Sequence, residues 1–405
     1  MKDKTKKIIY ISHDGILDPL GQSQILQYLE SLTLNYRFFL ITLEKEKNLN
    51  NKKNLKLIKE KMSSLNIIWI NYTFVNSGLI KTVTNFYKIF KYLYFLLKKE
   101  KIEIVHIRSY LPGFYIIPLK FLYRFKLIFD IRGFLPEEKI DRLKIRYISF
   151  KFISLKLIEK ILFKFSEEII TLTYHSKKIL ENKYKLYNNI MVIPTCVDIN
   201  LFKPIKKTNS TITIGYIGNI SGAYNIFPIL KLFKEIIKIN SNIILKIYTN
   251  EDYKSLINFF YINNISDKNY LIQSVNRNEL ISIIPYFDVG IFNLNINYSI
   301  KASFPTKIAE FLSSGIPIIC NNFNNDINYY IIKNDLGLIV NFEEEIKNVL
   351  NFYNKLTKLK NNNKIKDNCR IFCSKNLSVN IGSNKYKKIY EKYLRNLKNI
   401  QIIYY

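Results

Sequence analysis

KASFPTKIAEFLSSGIPIIC, residues 301–320, carries a helix and a strand back to back. Pro305 suits the first turn of a helix, where its missing N–H costs nothing, and Ser303 or Phe304 takes the cap position. Gly315 suits the stop, because helices commonly end on a residue of positive φ. Ile316 to Cys320 is then a short, unbroken apolar run, the pattern of a strand buried on both faces. A helix that feeds a doubly buried strand is half of a parallel α/β unit.

The same alternation runs outward from this stretch. Upstream lie strand candidates Thr213–Gly218, Ile243–Tyr248, Tyr270–Gln273 and Asp288–Asn293, and downstream Leu338–Val340. The first half repeats the plan with Lys7–Ser12, Phe38–Leu43, Ile67–Tyr72, Ile102–Arg108, Lys126–Ile131, Ile169–Thr173 and Met191–Pro194. Helical stretches separate them, among them Ser23–Leu32 and Val83–Lys98. Residues 199–210, INLFKPIKKTNS, are polar, hold Pro204 and lack periodicity, and so read as a linker. From Glu343 onward the chain is helical and rich in Lys and Asn, with a break at residues 361–363. The expected fold is α/β: two Rossmann-like, doubly wound domains whose strand C-termini face one central cleft.

Composition narrows the function. The chain has 405 residues and a formal charge of +30. Its cations are 53 Lys and only 9 Arg, whereas nucleic-acid readers lean on the bidentate Arg fork. Seventy Ile and 47 Asn against 3 Ala follow the codons of an AT-rich genome, so much of the charge reads as background. The rare Gly, Pro, Ala and Arg residues therefore carry more information than usual. Nucleic acid is not an expected partner. Four Cys form no disulfide framework and no paired zinc motif, which fits a reducing, cytoplasmic setting. The opening residues MKDKTKKIIYIS read as a first strand rather than a leader. No 18-residue apolar run is free of charge.

Several segments end strands in polar groups. His13-Asp14-Gly15 to Gln24 follows the first strand and feeds a helix, with Ser23 as its expected cap. His106 and Ser109 close the fourth strand region; Asp130, Arg132 and Gly133 close the fifth. A core histidine and a structural Asp130–Arg132 pair compete evenly with a site role. Gly218-Asn219 opens a loop after the first strand of the second half, with no dinucleotide or Walker spacing. In residues 301–317 a helix N-terminus, with Lys301, Ser303, Thr306 and Lys307, offers N–H groups and charge to a phosphate. Glu310, one turn in, suits a pair of adjacent hydroxyls.

Taken in order, DGILDPLGQSQILQYL, VHIRSYLPG, FDIRGFLPEEKID, IITLTYHSKKIL, VIPTCVD, IGYIGN, FDVGIF and SFPTKIAEFLSSGIPII resemble glycosyltransferase family 4, retaining enzymes of the GT-B fold. The likeness spans nearly the whole chain and is greatest to the branch serving bacterial surface polysaccharides. It implies an acceptor domain at 1–198, a linker at 199–210, a nucleotide-sugar domain at 211–376 and a helix at 377–405 that packs back on the first domain. It implies a nucleotide-sugar donor, a lipid-linked or oligosaccharide acceptor, no metal and no cofactor. Glu310 matches the second Glu of the family's Glu-x7-Glu motif, which binds the ribose; the first is Ala302 here. The family's diphosphate Arg is Asn219 here, so Lys307, with Arg277 or Lys301, is expected to take that part beside Gly218, Ser303 and Thr306. Asp18, His106, Asp130 and Arg132 match catalytic-cleft positions, and Gly21, Gln22 and Ser23 the acceptor loop. No nucleophile is assigned. The expected place of action is the cytoplasm, peripheral on the inner membrane face, with Lys151, Lys156, Lys160 and Lys164 of a basic amphipathic helix meeting anionic lipid. A sugar-nucleotide epimerase of the same fold, a non-catalytic nucleotide-sugar binder and a basic nucleic-acid binder are the alternatives.

Overall fold

The computed structural model describes residues 6–74, 79–143, 146–186, 189–207 and 210–400; part of the expected linker, residues 208 and 209, and the end of the tail, 401–405, fall outside the described residues. The chain divides into two compact units, residues 1–194 with 379–405, and residues 195–378.

Unit 1 runs β1 (Lys6–Ser12), α1 (Pro19–Gly21), a π-helical turn (Gln22–Leu26), α2 (Gln27–Leu32), β2 (Tyr36–Glu44), α3 (Glu46–Leu49), α4 (Lys52–Ser64), β3 (Ile68–Thr73), α5 (Leu79–Lys99), β4 (Ile104–Arg108), α6 (Gly113–Leu122), β5 (Lys126–Asp130), α7 (Leu135–Leu143), α8 (Phe150–Phe165), β6 (Glu168–Thr171), α9 (Tyr174–Tyr184) and β7 (Ile190–Val192). Its seven strands are all parallel, in the order β3-β2-β1-β4-β5-β6-β7. The order reverses between β1 and β4, where ligands of such sheets bind. Right-handed crossovers put α2 and α4 on one sheet face and α5, α6 and α8 on the other. Runs such as Ile8, Ile9 and Ile11 are fully buried because helices cover both faces.

Unit 2 holds β8 (Ile212–Ile217), α10 (Phe227–Ile239), β9 (Ile243–Tyr248), α11 (Lys254–Ile262), β10 (Tyr270–Gln273), α12 (Arg277–Ile283), β11 (Val289–Phe292), α13 (Thr306–Ser313), β12 (Ile318–Cys320), α14 (Asn325–Lys333), β13 (Gly337–Ile339), α15 (Phe342–Lys347), α16 (Val349–Asn361) and α17 (Asn363–Asn376). Its six parallel strands lie in the order β10-β9-β8-β11-β12-β13. The last helix, α18 (Val379–Ile400), belongs to unit 1. Every expected strand is present within a residue or two.

The ends of the expected elements differ more. Residues 199–207 do not hang free: Phe202 is buried, and Arg370 donates to the carbonyls of Ile199 and Phe202. Pro305 precedes α13 instead of entering its first turn, and neither Ser303 nor Phe304 caps it. Gly315 does stop that helix, at φ +69°. The helical run after β1 starts at Pro19, so Ser23 is not its cap; its hydroxyl donates to Leu20 O at 3.1 Å. All four cysteines are buried.

Candidate functional site

In unit 2 the chemistry gathers under the loop that follows β8. Gly218 turns the chain there at φ +105°, which only glycine takes without strain. A Cβ at Gly218 would stand 3.2 Å from Lys307 Nζ, so the lysine reaches directly beneath the loop. Lys307 is the second residue of α13, yet its side chain is buried. Its ammonium has no hydrogen-bond partner among the described residues. Aromatic faces surround it instead, with ring centroids at 3.8 Å for Tyr224, 5.1 Å for Tyr216 and 5.5 Å for Phe292. Ring quadrupoles attract the cation but do not replace lost hydration. Burial therefore lowers the Lys307 pKa to about 7, against the pull of Glu310.

Glu310 is one turn further along α13 and is also buried. Its Oε1 lies 3.3 Å from Arg277 Nη1, at the start of α12. Burial raises the Glu310 pKa, opposed by Arg277 and then by Lys307. The Arg277 guanidinium lies 5.8 Å over the Phe202 ring. Gly218, Lys307, Glu310 and Arg277 thus form one cluster. Among the described residues no side chain caps the N-terminus of α13, where Thr306 is the first residue. Ser303 donates to Ser299 O at 3.4 Å, and Lys301 lies 5.2 Å over Tyr298; both line the approach to the helix. Asn219 is exposed at the start of the loop, and Ala302 is buried. Glu251 fixes the loop by accepting from Ile220 N, Ser221 N and Ser221 Oγ.

In unit 1 the strand ends bury a different arrangement. Arg108 ends β4 and Asp130 ends β5, paired across the sheet. Asp130 is fully buried; its Oδ2 lies 3.7 Å from both Arg108 Nη1 and Arg132 Nη1 and accepts from Tyr386 of α18 at 2.9 Å. Arg132 has φ +56° and donates to Gln24 Oε1 at 3.0 Å. His106 is fully buried, sharing a 2.6 Å hydrogen bond with Tyr390 through Nδ1. Tyr10, Tyr386 and Tyr390 enclose its ring at centroid distances of 4.5, 5.4 and 5.9 Å. Burial lowers its pKa to about 4, so it is neutral at pH 7. His106, expected at the cleft, is enclosed by core rings and by α18, and its Nε2 has no hydrogen-bond partner among the described residues. Asp130 is likewise enclosed and acts as the anchor of two guanidiniums and the tail helix.

The loop after β1 is held from below. Glu44 is buried and accepts from Ile16 N, Leu17 N and Thr42 Oγ1. Asp18 pairs with Lys45 at 3.0 Å and accepts from Asn48 at 2.9 Å, so it answers to local partners. Gly21 is buried where a Cβ would come within 2.0 Å of Gly15 O; close packing, not flexibility, requires it. Gln22 is half-buried beside it and Ser23 is buried.

Glu44, Glu251 and the tyrosines of α18 were not identified from the sequence. The spacing of Tyr386, Tyr390 and Tyr393 at four and three residues marks one helical face and could have flagged them. Glu44 is the lone acid closing an apolar strand. The ring cage around Lys307 joins residues from β8, its loop and β11, so no local signal exists. Among the described residues no group of three or more His, Cys, Asp or Glu could hold a metal ion.

Sequence comparison decides the family. The Glycosyltransferase Family 4 model matches residues 34–201, and the Glycosyl transferases group 1 model matches residues 198–395. The chain belongs to the glycosyltransferases. No curated protein matches it. Among solved structures, a glycosyltransferase from Rickettsia africae aligns over 97% of this chain and 100% of its own, at 16% identity and TM-score 0.71. HepE of Anabaena, in complex with UDP-glucose, covers 95% of this chain and 99% of its own, at 12% identity and TM-score 0.67. WaaG, a glycosyltransferase involved in lipopolysaccharide biosynthesis, covers 91% of this chain and 95% of its own, at 11% identity and TM-score 0.63. At such identities these likenesses carry the fold, and that fold is GT-B.

Proposed function

We propose that this glycosyltransferase moves a sugar from a nucleoside diphosphate donor, held by unit 2, to an acceptor hydroxyl served by unit 1. The observation that carries the reading is Lys307. A buried ammonium without a hydrogen-bond partner, aimed at a glycine turn and beside an uncapped helix start, is a poor structural choice and a good diphosphate site. Glu310 would take the ribose hydroxyls, with Arg277 keeping its carboxylate oriented. The UDP-glucose complex of HepE supports a nucleotide-sugar donor for a chain of this fold.

In the proposed reaction the bond from the sugar's anomeric carbon to the diphosphate oxygen breaks as the acceptor oxygen bonds on the same face. The acceptor's proton passes to the leaving phosphate. Lys307 and the α13 N–H groups stabilise the departing charge, so the reaction is metal-independent. A lipid-linked or oligosaccharide acceptor, in surface polysaccharide synthesis at the inner membrane face, fits the family branch and the WaaG likeness.

Calorimetry or thermal shift with UDP-, GDP- and other nucleotide-sugars tests the reading. One donor class should stabilise the protein, and chelator should leave that stabilisation unchanged. No response to any donor would overturn the proposal.

A further inference from the structure

We propose that Tyr224 is a positioning residue for the donor, its ring being the platform that sets the Lys307 ammonium beneath the Gly218 turn. This role rests on the donor reading of Lys307 and adds what steers that lysine. Asn219 stands where the family's diphosphate Arg is expected, so the cation comes across from α13 on a flexible four-carbon stem. Something must hold the end of that stem in place. No hydrogen-bond partner does so among the described residues, and Glu310 is paired with Arg277 instead.

The three rings around the ammonium are not equivalent. Tyr216 of β8 and Phe292 of β11 are fully buried strand residues, with centroids at 5.1 and 5.5 Å, and form walls of the core. Tyr224 stands on the loop after β8, is half-buried, and has its centroid only 3.8 Å from Nζ. Its loop is pinned to the segment after β11. Tyr224 forms an antiparallel bridge with Leu294, Asn225 N donates to Asn293 O at 3.1 Å, and Asn295 N donates to Ala223 O at 2.9 Å. Side chains repeat the tie: Asn293 Nδ2 donates to Asn225 O at 3.0 Å and Asn295 Nδ2 to Gly222 O at 2.9 Å. Glu251 holds the other end of the loop through Ile220 N and Ser221 N. Ordering a loop this tightly costs conformational entropy, and here it fixes one ring against one ammonium.

A ring suits this task better than a carboxylate. A carboxylate would engage the ammonium's N–H groups and cancel its charge. A ring face attracts the charge and leaves those donors for an incoming phosphate. It also acts on the proton, because it attracts only the charged form and so opposes the effect of burial. The titratable groups facing Lys307 are Tyr216 of β8, Tyr224 of the loop and Glu310 of its own helix, with Arg277 of α12 beyond. Burial pushes both tyrosine hydroxyls well up, so neither titrates near pH 7.

Calorimetry of the full chain at pH 7 with UDP, GDP, ADP and dTDP, in two buffers of different ionisation enthalpy, reads affinity and proton uptake together. For the diphosphate that binds, Tyr224→Leu should weaken affinity at least ~fivefold and raise the proton uptake, because the free lysine is less often charged without the ring. Tyr224→Phe keeps the ring face and should recover affinity to within ~threefold of wild type. A tyrosine that merely fills space gives the opposite sign: its loss admits water, which favours the charged lysine, and uptake falls. Falling uptake, or unchanged affinity in Tyr224→Leu, would overturn the positioning role and leave the donor reading standing. Binding of none of the diphosphates by the wild type would overturn both. A cycle without ligand checks the contact itself. At pH 6, Lys307→Met should raise the urea midpoint more in the Tyr224→Leu background than in wild type, since the ammonium it removes has lost its ring. Equal gains would mean that ring and ammonium do not interact, and would overturn the proposal.

Discussion

Two buried polar clusters sit at the strand ends of the two units, and they pair charge to different degrees. Around Asp130, two guanidiniums share one carboxylate, and Tyr386 of the tail adds a hydrogen bond. Around Lys307, the cation stands among rings with no hydrogen-bond partner among the described residues. Burying charge is tolerable when the partner is internal, as with Asp130. When the partner is missing, the site holds an unmet demand that a ligand can satisfy. The difference is one of degree: the Asp130 charge has charged partners, although Arg108 Nη1, Arg132 Nη1, Asp130 Oδ1 and His106 Nε2 also lack hydrogen bonds among the described residues, whereas the Lys307 ammonium has rings alone against it.

The strongest way to break this contrast is Asp130→Ala. It leaves the buried Arg132 without a carboxylate and Arg108 with only Asp14 at 3.5 Å, and frees Tyr386, so urea unfolding should show a loss of about 3–5 kcal/mol. A loss below about 1 kcal/mol would mean that the cluster does not secure α18. Lys307→Met should act in the opposite sense on the free protein. It removes a buried, unpaired ammonium, so unliganded stability near neutral pH should rise while nucleoside diphosphate affinity falls at least ~tenfold. The folded pKa of Lys307, about 7, lies below the ordinary lysine value of 10.5. The destabilisation is thus full below about pH 7 and fades as pH rises toward the unfolded value. A less stable Lys307→Met protein would erase the distinction between the clusters.

Glu310→Ala sharpens the ligand side. Donor affinity and turnover should drop about tenfold with the fold intact, and a bare nucleoside should lose as much, since the ribose is the contact. For Lys307→Met the bare nucleoside should lose less than the diphosphate. The same lysine predicts a pH effect. A diphosphate raises its pKa, so binding takes up a proton above about pH 7. Affinity should then fall by up to about tenfold per pH unit, and calorimetry in two buffers of different ionisation enthalpy reads the proton directly. The smallest effect belongs to Tyr390→Phe, which removes the hydroxyl from His106 and should cost about 1 kcal/mol.

Much of the fold was legible because parallel strands buried on both faces leave unbroken apolar runs. Ile243–Tyr248 and Tyr270–Gln273 are found where the sequence places them. Helix starts were less legible: Pro305 and Ser23 each sit one role away from their expected places, since caps depend on φ and ψ that a residue type only biases. The site was legible where its residues share one helix, as Lys307 and Glu310 do. For His106, rarity and a strand-end position fit a buried core ring as well as a catalytic one. Its hydrogen bond to Tyr390, 284 residues away, is one that no local pattern shows.

By itself, then, the sequence determined the periodicities, and through them two parallel α/β layers and the helix that bears Lys307 and Glu310. Local patterns reach no further than the turn or strand that holds them. Only the tertiary structure decided which charges are paired. It closed Tyr386 and Tyr390 over Asp130 and His106, and placed three rings, and no acceptor among the described residues, around Lys307. Pairing and burial depend on residues far apart in the chain, and those distances exist only once the sheets have formed.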